Sequence, residues 1–136
     1  GQVLDTVYDV SDAEGLTQLN RLKTGMMISG AAELGCVAAK MNAGMRSQAL
    51  TYADGIGRAF QIRDDMLDVV GDAAVFGKPI GSDREEGKVT FVDVLGLDGC
   101  AKEVEHCTEA AKSAVANWSD HMFLWELADR MVGRTK

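Results

Sequence analysis

The chain has 136 residues, a length that fits one domain with enough buried surface for a core. Hydrophobic residues make up 46% and charged residues 26%, which excludes a disordered tail. The 14 Lys and Arg against 21 Asp and Glu leave a net charge of −7, which argues against a general nucleic-acid binder and an anionic-membrane binder. That acidity suits ligands that carry cations, metal ions among them.

Helical periodicity dominates from the start. Leu16, Leu19, Leu22 and Met26 recur at threes and fours, and Ala31, Ala32, Leu34 and Val37 continue the stripe. Asp12 stands where a cap is needed before this helix. Lys23-Thr24-Gly25 interrupts the stripe, and Gly25 beside Thr24 gives the helix a place to bend and release a carbonyl. Lys40 to Gly44 reads as a break, with Asn42 and Gly44 as its turn residues. A second long helix is expected from about Met45 to Val70, with Ala49, Ala53, Ile56, Phe60 and Leu67 on one face and Gly71 as its stop.

Residues 71–90 read as a long loop rich in glycine and charge, holding the only proline, Pro79. A short apolar element follows at Phe91 to Leu95, then helices at about Asp98 to Asn117 and Asp120 to Val132. Nothing alternates with period two, so the predicted fold class is all-α, a single unit over residues 1–136. No apolar run is long enough to span a bilayer. Cys36, Cys100 and Cys107 are odd in number and form no CxxC pair, as expected of reduced thiols in the cytoplasm. His106 and His121 lack metal-like spacing and read as surface or capping groups, while Trp118 and Trp125 read as packing residues.

The chemistry concentrates in Gln61-Ile62-Arg63-Asp64-Asp65-Met66-Leu67-Asp68. At about 100° per residue, Gln61, Asp64, Asp65 and Asp68 fall on one stripe of the second helix. Three carboxylates near the negative end of a helix repel one another and the helix dipole, an arrangement a divalent cation would neutralise. All-oxygen donors favour Mg²⁺ or Ca²⁺ over zinc. Downstream, Gly77-Lys78 and Gly87-Lys88 pair a residue that admits close backbone approach with a point charge for phosphate oxygens. The nearest P-loop register fails, because five residues separate Gly71 from Gly77 and Pro79 replaces Ser/Thr.

Taken in order, these motifs resemble the C-terminal half of a trans-type prenyl diphosphate synthase of the farnesyl and geranylgeranyl diphosphate synthase family. Gly1-Gln2-Val3-Leu4-Asp5 is similar to its GQxxD segment and Lys23-Thr24-Gly25 to its KTG. Gln61 to Asp68, Gly71-Asp72, Gly77-Lys78, Gly81-Ser82-Asp83 and Gly87-Lys88-Val89-Thr90 are similar to its second aspartate-rich motif and following loop. The resemblance implies part of an all-α isoprenoid-synthase bundle around a cavity. It implies Mg²⁺-assisted ionisation of an allylic diphosphate, followed by attack from isopentenyl diphosphate. By match to those motifs, Asp64 binds Mg²⁺ with Asp65 and Asp68 in support. Lys23, Lys78 and Lys88 hold diphosphate, and Thr24, Gln61 and the Lys23 carbonyl face the developing cation.

The family's first aspartate-rich motif and N-terminal basic residues have no counterpart, so the chain is expected to be the C-terminal portion of a longer synthase. The alternative is a non-catalytic half-synthase that binds Mg²⁺–diphosphate or a partner chain. Apolar surface that would meet absent helices is expected to drive self-association, in keeping with the family's homodimers.

Overall fold

The computed structural model describes residues 13–76 and 89–133, most of them helical. Five α-helices are α1 (Ala13–Asn20), α2 (Met26–Ala38), α3 (Ala43–Phe76), α4 (Phe91–Ala114) and α5 (His121–Val132). A π-helical turn, Arg21–Gly25, joins α1 to α2. No strand occurs among the described residues, as the lack of period-two alternation predicts. Asp12 lies outside them.

The break between α2 and α3 is built from two caps. The Met41 and Lys40 amides donate to the Cys36 and Val37 carbonyls, at 2.9 and 3.0 Å, which is the double bond of a Schellman motif. Lys40 takes the left-handed position, with φ 53°, that this motif usually gives to glycine. Asn42 then caps α3, its Oδ1 accepting from the Met45 amide at 2.9 Å.

Helix α3 is the spine, in contact with each of the other four helices. Its buried face is Ala49, Tyr52, Ala53, Ile56, Ala59 and Ile62; Ala49, Ala53 and Ile56 belong to the predicted stripe, whereas Phe60 and Leu67 are only half-buried. Two clusters form against it. Tyr52 and Ile56 pack with Ala111, Val115 and Ala128, flanked by Trp118 and Trp125. Ile62 packs with Phe91 and Cys100, flanked by Met66 and Val104. Both tryptophans pack as predicted, and each indole N–H is satisfied: Trp118 donates to Gln48 Oε1 at 2.8 Å and Trp125 to the Lys112 carbonyl at 3.0 Å.

Two boundaries differ from the sequence reading. Helix α3 does not stop at Gly71 but runs on to Phe76. A glycine inside a helix costs only about 1 kcal/mol relative to alanine, which Asp72-Ala73-Ala74 downstream can carry. Phe91–Leu95 and the following helix form one element broken at Gly96, whose φ of 68° and ψ of 167° are accessible to glycine alone. Thr90 starts α4 with a capping box: its hydroxyl accepts from the Asp93 amide, and the Asp93 carboxylate accepts from the Thr90 amide at 2.9 Å.

Candidate active site

The interrupted stripe of the first helix proves to be the π-helical turn, and Lys23, Thr24 and Gly25 are its last three residues. Single π turns widen the helix by one residue and leave backbone groups off the regular ladder, which is why they gather at functional sites. Gly25 is buried where this turn crosses α3. A Cβ placed on Gly57 would lie 3.8 Å from the Gly25 Cα and 3.4 Å from Ile28 Cδ1, so the backbones approach closely there. One turn further along α3 comes Gln61, and then the aspartates.

Around this crossing lies a cavity of about 200 Å³, lined by Thr17, Arg21, Asp54, Arg58, Gln61 and Phe91 together with Gly25 and Gly57. Asp54 organises its near side. It accepts from the Ser29 hydroxyl at 2.8 Å and pairs with Arg21 at 3.5 Å, linking α2 and the π turn to α3. Arg58 crosses to α4 and pairs with Glu103 at 2.9 Å, while its Nε is buried with no hydrogen-bond partner. A second, larger cleft of about 650 Å³ opens on the other side of α3. It is lined by apolar groups including Met27, Ile28, Ala53, Ile56 and Leu127.

Among the predicted site residues, the structure places Gln61, Asp64, Asp65 and Asp68 on α3 and Thr24 on the π turn that crosses it. Gln61 lines the cavity, and Thr24 adjoins its Gly25 wall. Asp64 and Asp65 are half-buried and Asp68 is exposed. Lys78 and Lys88 lie outside the described residues, and Lys23 is placed by its backbone only.

Asp65 is the carboxylate most perturbed by its surroundings. Burial pushes it up to about 6; a hydrogen bond from the Phe91 amide opposes this, and the charges of Asp68, Asp64 and Asp93 add to the rise. That bond is 2.8 Å long and runs from the first residue of α4 to Asp65 Oδ2. Asp64, Asp65 and Asp68 together offer carboxylate oxygens, the donor type that suits a hard divalent cation.

Sequence reasoning missed Arg21, Asp54, Arg58 and the Asp65–Phe91 bond. Their signals are present. Asp54, Arg58 and Gln61 recur at fours and threes on the face that carries Asp65, and Thr90-x-x-Asp93 is a capping-box pattern. Sequence reasoning also gave His106 no partner, yet Glu103, His106 and Cys107 bring donor atoms within 4.8 Å of one another on one turn of α4. Here Arg58 already neutralises Glu103, and burial and the Glu103 charge push the Cys107 thiol up to about 11. The group therefore reads as an ion-pair network tying α4 to α3.

Residues 1–122 match the family model for polyprenyl synthetase. The chain belongs to the polyprenyl synthetase family. It is 36% identical, along its whole length, to the farnesyl diphosphate synthase of Escherichia coli K12, of which it covers 48%. It is 31% identical over 98% of its length to a geranylgeranyl diphosphate synthase of Cyanophora paradoxa, of which it covers 46%. The structure superposes on an FPP/GFPP synthase from Zymomonas mobilis with a TM-score of 0.78 at 26% identity, over 96% of this chain and 42% of that one. The member described here thus spans about half the length of the curated relatives it matches. Its all-α architecture is that of these synthases.

Proposed function

We propose that this chain is the C-terminal portion of a prenyl diphosphate synthase and carries the half of the site that holds Mg²⁺ and the diphosphate of an allylic substrate. The observation that carries this reading is the crowding of Asp64, Asp65 and Asp68 on α3, beginning within one turn of the Gln61 that lines the cavity, with Asp65 pushed up to about 6. Crowded carboxylates of this kind offer the oxygen donors that a divalent cation takes.

In this reading Asp64 would hold Mg²⁺ with Asp65 and Asp68 in support, and the ion would supply positive charge to the departing diphosphate. Lys23, Lys78 and Lys88 hold the diphosphate oxygens. The allylic carbon–oxygen bond breaks with its electron pair on the diphosphate. The double bond of isopentenyl diphosphate attacks the allylic carbon, and a proton is then lost. The products are a longer allylic diphosphate, inorganic diphosphate and the proton. Thr24 and Gln61 direct oxygen dipoles at the allylic carbon as positive charge develops.

The span of about half the relatives' length favours a second reading for the isolated chain, in which it binds Mg²⁺–diphosphate without turnover. Catalytic groups that act as a unit lose nearly all rate when part is removed. Three free, buried cysteines and the lack of any membrane-crossing helix among the described residues support a cytoplasmic setting. Calorimetric titration with inorganic diphosphate, with and without Mg²⁺, tests both readings. Binding that needs Mg²⁺ and is lost in Asp64→Ala is expected; binding indifferent to Mg²⁺ would overturn them.

A further inference from the structure

We infer that Asp65 is a positioning residue rather than a metal ligand: it fixes the start of α4 against the aspartate stripe of α3. The inference rests on the reading above that this stripe takes Mg²⁺–diphosphate.

Three features of the structure converge. First, the Asp65 carboxylate is engaged. Its Oδ2 accepts from the Phe91 amide at 2.8 Å, across 26 residues of chain. Second, Phe91 is the first residue of α4, and the first four amides of a helix have no partner within it. The Thr90–Asp93 capping box satisfies the amides of Thr90 and Asp93, and Asp65 satisfies that of Phe91. The Phe91 side chain is fully buried against Ile62 and Cys100, so its amide sits where a missing partner is costly. Third, the stripe has two sides. With about 100° per residue, Asp64 and Asp68 lie about 40° apart, whereas Asp65 is turned about 100° from Asp64 and about 60° from Asp68, toward α4. Asp65 thus stands on the edge of the stripe that meets the start of α4.

The Phe91 amide gives a direct readout, because Asp65 is its hydrogen-bond acceptor. Hydrogen exchange at that amide and calorimetric Mg²⁺–diphosphate affinity are measured on the chain and on three variants. Asp65→Asn retains an acceptor oxygen and is expected to keep protection at Phe91 and stay within about threefold of the parent's affinity. Asp65→Ala is expected to lose at least tenfold in protection at Phe91 and, as the start of α4 loosens, to bind more weakly than Asp65→Asn. Asp64→Asn is expected to keep protection and lose at least tenfold in affinity. If Asp65→Asn loses as much affinity as Asp64→Asn with Phe91 still protected, Asp65 is a direct ligand and the inference fails. It fails equally if Asp65→Ala leaves Phe91 protected. Should the parent chain bind no Mg²⁺–diphosphate, the functional reading falls, and the exchange comparison still decides whether Asp65 holds α4.

Discussion

Gly55 meets Ala111 where α3 crosses α4, so closely that a Cβ on Gly55 would stand 2.9 Å from the Ala111 Cβ and 3.0 Å from the Cys107 carbonyl oxygen. Both obstacles are rigid. Gly55→Ala must part the two helices and is expected to cost about 1–3 kcal/mol. Gly57→Ala, whose added carbon meets the movable tip of Ile28 at 3.4 Å, is expected to cost less than Gly55→Ala. Urea denaturation of the two variants checks the contrast, and equal losses would show that the crossing yields.

Lys40 occupies a left-handed position in a motif whose hydrogen bonds favour glycine. A side chain there costs about 1–2 kcal/mol, partly offset by the extra freedom glycine has in the unfolded chain. Lys40→Gly is expected to stabilise by up to about 1 kcal/mol, seen as a higher urea midpoint at unchanged slope. A lower midpoint would show that Lys40 makes a compensating interaction.

Cys107 sets an alkaline limit to stability. Its folded acidity constant, about 11, lies above the ordinary thiol value of 9.0, because burial and Glu103 disfavour the thiolate. A group raised in this way gives its full contribution below pH 9, and that contribution is lost as pH climbs through 11. The parent chain should therefore lose more stability between pH 8 and pH 10.5 than Cys107→Ala does, in denaturation curves taken at both values. Identical losses would remove Cys107 as the cause.

Apolar side chains stand exposed along α2 and at the start of α5. Met26, Met27, Leu34 and Val37 form the first set, and Met122 and Phe123 the second. Contiguous exposure of this kind drives association. Light scattering of the chain is expected to give the mass of at least two copies, reduced toward one by Met27→Lys with Phe123→Lys. A monomer in the parent chain would refute it.

The sequence made the helices legible because one apolar face recurs along each. Ala49, Ala53 and Ile56 point to the core as their spacing says. The aspartate stripe was equally legible, since its geometry follows from about 100° per residue. What escaped was whatever joins distant segments. No periodicity relates Asp65 to Phe91, or Arg58 to Glu103, because those pairs are created when α3 and α4 pack. Gly71 misled for the opposite reason: a local preference against helix was weaker than the helix around it.

The π turn at Arg21–Gly25 lets the molecule carry a change of length without turning its helices. A π turn is an α-helix carrying one surplus residue. Deleting one of those five residues would let α1 and α2 fuse into one regular rod with the faces of both nearly unchanged, because five residues of the wider turn advance about as far around the axis as four α-helical residues at about 100° each. What such a deletion would remove is the bulge itself, which carries Lys23, Thr24 and Gly25.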